Sequence, residues 1–149
     1  MISIFADVIW PALFLEARLL SIWIILVGLV VEYFFVWRIT NLGPFKSILA
    51  DVVMNAASTI PGIILIPAFG LVVAIVSGEL VGNAFSPIVW TATFLTCVVL
   101  NTLIEWFVLW KLFKQALGKK QFWMLALANG LSVGIAFASF LVYPIKECC

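Results

Sequence analysis

Glu32 and Glu105 are the residues whose chemistry stands out, because each places a carboxyl group inside a long apolar run. Each opens the same local pattern of glutamate, aromatic, Phe, two apolar residues, Trp and a basic residue. The first copy reads Glu32-Tyr33-Phe34-Phe35-Val36-Trp37-Arg38, the second Glu105-Trp106-Phe107-Val108-Leu109-Trp110-Lys111. A second landmark follows each: Asn55-Ala56-Ala57-Ser58 after the first, Asn129-Gly130-Leu131-Ser132 after the second. The glutamates stand 73 positions apart and the asparagines 74, so one inserted loop residue accounts for the change. Matched landmarks in one order at a near-constant offset are the mark of an internal duplication.

Carboxyl and carboxamide groups gathered in one layer can hold a cation, carry a proton or bind a small polar solute. They can equally hydrogen-bond to one another and lock helices together, the ordinary use of Asn and Ser inside membranes. An acidic side chain at the bilayer centre costs about 2.5–3.5 kcal/mol, so it turns toward a bundle interior or a wet cavity. At 1.5 Å rise per residue, Glu32 lies about 9 Å inside Arg38, and Glu105 the same distance inside Lys111.

Helical spacing supplies partners. Asn101, four residues before Glu105, shares its face. Asp51, Asn55, Ser58 and Gly62 recur at i, i+4, i+7 and i+11, and Asn129, Ser132 and Ala136 form a shorter version of that stripe. The expected ion- or solute-binding residues are therefore Glu32, Asn55, Ser58, Asn101, Glu105, Asn129 and Ser132, with Asp51 and Pro61 as auxiliaries. Pro61 removes a backbone donor and frees the Ala57 carbonyl beside the stripe, which favours a kink or a break there. The matching stretch of the second copy has no proline before Pro144. A site built on the duplication is thus expected to be asymmetric, with the Pro61 segment as its specialised half. Gly130 and Gly134 have the spacing of a close-packing motif, within the bundle or between copies.

The residue inventory narrows the chemistry. There is no histidine, the commonest metal ligand and the usual acid–base group near neutral pH, so no metal and no cofactor is expected. The three cysteines form no disulfide framework and no CxxC pair; Cys97 reads as a small packing residue, while Cys148 and Cys149 are open to acylation, oxidation or plain exposure. The segment 78–87 reads as a solvated connector without nucleophile, metal or phosphate signature. With no nucleophile beside the carboxyls, no catalytic residue and no enzymatic activity are expected.

The elements that must position these groups follow from composition. Of 149 residues, 66% are hydrophobic and only 10% charged, with a mean hydropathy of +1.28. Soluble domains are about 45–50% apolar and about 25% charged, and one this small cannot hide such an excess. A net charge of +1 gives no field for a nucleic-acid partner. The solvent is lipid. Four segments are long and apolar enough to cross a bilayer: 19–37, 52–77, 88–110 and 122–143.

The fold class is accordingly an all-α integral membrane protein of four transmembrane helices, built as two tandem two-helix repeats. Its parts are an interfacial amphipathic segment (1–17), the first repeat (18–77), an outer loop (78–87), the second repeat (88–143) and a tail (144–149). Six of the eight basic residues fall in the loops after the first and third spans. That asymmetry makes those loops cytoplasmic and puts both termini outside, in a plasma or inner membrane. Tyr33, Trp37, Trp106, Trp110 and Trp123 cluster near the same end, as an aromatic belt does. A transporter- or permease-like role for a cation, proton or small solute is one expectation. The alternative is a non-catalytic accessory or assembly subunit whose polar layer only holds the helices together. Four helices make a thin wall, so a homo-oligomer or a larger membrane complex is expected in either case.

Overall fold

The computed structural model describes residue 15 and residues 19–77 and 87–142. The interfacial segment (Leu15 aside), most of the outer loop and the C-terminal tail, with the orientation of the termini that depends on them, lie outside the described residues. Every described element is an α-helix: α1 (Ile22–Ile39), α2 (Pro44–Ser77), α3 (Pro87–Lys111) and α4 (Lys119–Val142). All four are long and apolar enough to cross a membrane.

Local chemistry sets the helix ends near the basic connections. At the end of α1, the Thr40 amide and hydroxyl both donate to the Val36 carbonyl, at 3.0 and 2.8 Å. Four residues later Pro44 takes the first helical position of α2, where a missing N–H costs nothing. The sequence reading began this span at 52 because hydropathy senses the apolar stretch and not the helix. The helix itself starts eight residues earlier and carries Lys46 and Asp51 within it. At the end of α3, Lys114 adopts a left-handed conformation (φ 53°), and the Gln115 amide reaches back to the Leu109 carbonyl at 2.9 Å. The Gly118 amide donates to Gln121 Oε1 at 2.6 Å, half of a capping box at the start of α4.

The helices form a four-membered ring in sequence order, closed by α4 against α1. The most extensive interfaces are α2 with α3 and α1 with α4; the diagonal pairs keep their backbones apart. The two basic connections meet at one end of the ring. There the Asn41 amide donates to Gln115 Oε1 at 3.2 Å, and Gln121 Nε2 donates to the Ile39 carbonyl at 3.2 Å. An aromatic girdle surrounds that end: Trp106 stacks on Trp110 at 6.2 Å, and Lys111 Nζ lies 4.3 Å from the Trp110 ring centre.

Inside, two apolar layers sandwich a polar one. Val36, Ile39, Ala50, Met54, Val108, Leu109 and Leu125 fill the end near the basic connections. Leu15, Ile66, Cys97, Val133 and Ala136 fill the other half, which gives Cys97 the packing position expected of it. Between them lie Glu32, Asp51, Ser58, Thr102, Glu105, Asn129 and Ser132, all buried. Outside, large apolar side chains such as Trp23, Val30, Ile64 and Val76 are exposed on every helix face that no neighbour covers. In water that surface would be prohibitive; in lipid it is the solvated face.

Candidate functional site

Each glutamate of the polar layer is met by the asparagine of its own hairpin. Asn55 on α2 donates from Nδ2 to Glu32 Oε2 on α1 at 2.5 Å. The same amide reaches the backbone oxygen of Asp51 at 3.1 Å and its carboxyl Oδ1 at 3.4 Å. Asn129 on α4 repeats the arrangement, donating to Glu105 Oε2 at 2.5 Å and to the Leu125 carbonyl at 3.3 Å. In both cases an asparagine braces on the carbonyl four residues earlier while its amide reaches across to a glutamate. The clearest chemical difference is at that bracing position, which carries Asp51 in one pair and Leu125 in the other.

The surroundings differ more than the pairs do. Glu105 and Asn129 are both 0% exposed. Glu105 Oε1 and Asn129 Oδ1 are buried with no hydrogen-bond partner. Glu32 instead borders a cleft of about 310 Å³ between α1 and α2. Its walls are apolar, including Leu19, Ile24, Ile25, Leu29, Ile63 and Ile66, and its polar end gathers Glu32, Asn55, Ser58, Thr59, Asn101 and Ser132.

Five of the seven residues expected from sequence thus line one cleft: Glu32, Asn55, Ser58, Asn101 and Ser132. Glu105 and Asn129 are not among its walls. Asn101 was expected to serve Glu105, four residues on; it lines the cleft beside Glu32 instead and makes no side-chain hydrogen bond among the described residues. Ser132 reaches across from α4 to lie beside Glu32 and 3.7 Å from the space a Gly28 Cβ would fill. Ser58 and Thr59 turn their hydroxyls inward on the helix, donating to the Asn55 carbonyl at 3.2 and 2.7 Å.

The two auxiliaries separate. Asp51, 2% exposed, joins the cluster through Asn55. Pro61 leaves α2 continuous, contrary to a break at that point: the helix runs through both Pro61 and Pro67. Proline still withholds the donor that the Ala57 carbonyl would otherwise receive, and the adjacent Gly62 lines the cleft. Gly130 and Gly134 have nothing within 4 Å of where a Cβ would stand, so neither mediates close helix packing inside the bundle.

Of the lining residues without an apolar side chain, Gly28 and Thr59 were not anticipated from the sequence. Gly28 sits four residues before Glu32 and so shares its face, a signal that was present. Thr59 lies one step off the Asp51-Asn55-Ser58 stripe and had none. Electrostatically the layer is one-sided: Glu105 lies within reach of both Glu32 and Asp51, and none of the three carboxyls pairs with a lysine or arginine among the described residues. The carboxyls do not converge into a group able to hold a metal ion among the described residues. Compared with known proteins, the chain matches no family model, no curated protein and no solved structure.

Proposed function

We propose that the protein is a small permease-like membrane protein that binds a cation or small cationic solute at Glu32, assisted by Asn55, Ser58, Asn101 and Ser132. The observation that carries this reading is the cleft of about 310 Å³ with Glu32 at its polar end. A carboxyl group without a basic partner among the described residues, facing a cavity inside a membrane bundle, is suited to exchange a cation or proton. In this reading the basic connections face the cytoplasm, and copies of the chain associate to complete a pathway that four helices cannot enclose.

The test is flux in proteoliposomes, following rubidium and methylammonium uptake and the decay of an imposed proton gradient. Glu32→Gln, which keeps the shape and the Asn55 contact, is expected to abolish the flux. Glu105→Gln is expected to retain it in protein that remains folded. Undiminished flux through Glu32→Gln would sink the proposal.

A second reading has its own support. The Glu105–Asn129 pair, closed off from any cavity, suits an accessory or assembly subunit in which the polar layer serves helix registration alone. Copurification with larger subunits at fixed stoichiometry, and loss of that association in Glu105→Ala, would favour it.

A further inference from the structure

We infer that the cleft between α1 and α2 takes a single-tailed amphiphile with an ammonium head, reaching it from the bilayer. The inference rests on Glu32 as the solute-binding carboxyl and adds the class of molecule.

The cleft is graded along its length. Its polar groups lie at one end, and from Glu32 back to Ile24 the α1 wall is about 12 Å of Leu29, Gly28, Ile25 and Ile24. Ile25 and Ile63 line it and are also exposed, on helices that are long and apolar enough to cross a membrane, and no lining residue comes from the basic connections. The described rim therefore faces acyl chains. A molecule dissolved in the bilayer can place its tail along this wall and its head at Glu32 without passing through water.

The polar end selects the head. Among the described lining residues Glu32 supplies the one carboxyl group, and no lysine or arginine lines the cleft beside it. A carboxylate or phosphate head would find no cationic partner there, whereas an ammonium finds the Glu32 carboxyl. The Ser132 hydroxyl lies beside Glu32, and the Asn101 carboxamide makes no side-chain hydrogen bond among the described residues. Both can accept the remaining N–H donors of an ammonium. A cleft of about 310 Å³ is at the small end of ligand pockets, a size that suits one alkyl chain.

The experiment uses the full chain in nanodiscs of phosphatidylcholine alone and isotope-labelled decylammonium, with empty nanodiscs measuring simple partitioning. A saturable component is expected, displaced by unlabelled decylammonium and not by decanol or decanoate. Glu32→Gln should weaken it by at least about tenfold, the loss of one partner of a buried charge pair. Gly28→Leu, which fills the cleft beside Ser132 and leaves Glu32 in place, should also abolish it, and Glu105→Gln should leave it within about twofold. Displacement by decanol as effective as by the amine, or wild-type binding by folded Glu32→Gln or Gly28→Leu protein, overturns the inference. If no saturable component exists while Glu32-dependent flux of small cations persists, the amphiphile falls and the site stands. If Glu32→Gln alters neither measurement, both fall together.

Discussion

Glu32–Asn55 and Glu105–Asn129 have the same local geometry within one polar layer, but the first borders a cleft and the second is closed on all sides. Their hydrogen bonds cannot account for the difference, since each asparagine holds its glutamate at 2.5 Å and braces on a carbonyl one turn back. What differs is the shell. Around Asn129 the bracing residue is Leu125, fully buried, and Glu105 and Asn129 are themselves 0% exposed. Around Asn55 the bracing residue is Asp51, and Gly28 and Gly62 withhold the side chains that would close the gap between α1 and α2. A pair of this kind thus serves structure or chemistry according to its neighbours, and one molecule displays both outcomes.

The sharpest way to break that comparison is to remove each asparagine. Asn129→Ala leaves Glu105 buried with no donor and is expected to cost about 3 kcal/mol in unfolding by SDS titration of mixed micelles. Asn55→Ala leaves Glu32 beside a cleft that water can enter, so the loss there should be about 1 kcal/mol. Equal losses would mean that the two pairs are energetically alike and that the cleft is irrelevant to Glu32.

Asp51→Leu gives the first pair the bracing residue of the second. Replacing a buried carboxyl that has no basic partner among the described residues by an apolar side chain is expected to raise stability by about 1.5 kcal/mol while weakening cation binding at Glu32. A fall in stability accompanied by tighter binding would reverse the assigned role of Asp51. Pro61→Ala restores a donor to the Ala57 carbonyl and is expected to add about 1 kcal/mol, read in the same titration. No gain would show that water or a neighbouring group already satisfies that carbonyl.

The smallest effect is expected from Gly28→Ala. Its new Cβ would meet Ser132 Oγ at 3.7 Å, an ordinary contact, so the helix gains about 0.5 kcal/mol of propensity. A marked destabilisation would indicate that α1 and α4 approach more closely at this position than that contact implies.

Much of the polar layer was legible in the sequence because polar residues in an apolar chain are conspicuous. Glu32 and Glu105 could be placed in one layer from their distance to Arg38 and Lys111, and Asn55 and Asn129 from the repeated landmark. The cleft was not legible. In a helix that is apolar all round, periodicity does not tell which face turns inward, so Leu29, Ile63 and Ile66 could not be separated from Val30 and Ile64, which face outward. Asn101 misled for a related reason. Sharing a helix face with Glu105 fixes direction only within a turn, and the neighbouring helices decided that Asn101 borders the cleft while Glu105 is sealed. The eight residues by which α2 precedes its hydropathy signal were missed because a helix, once capped by Pro44, continues through Lys46 and Asp51 without needing apolar side chains there.

The pairing of each glutamate within its own hairpin bears on how the chain is made. Asn55 follows Glu32 by 23 residues and Asn129 follows Glu105 by 24, so each acid's partner emerges from the ribosome in the very next helix. A hairpin leaving the translocon can therefore carry its carboxyl group already hydrogen-bonded, and neither glutamate has to await the other half of the protein before it meets lipid. Biogenesis can then proceed as two self-sufficient insertions followed by lateral docking, with the broad α2–α3 and α4–α1 interfaces formed last.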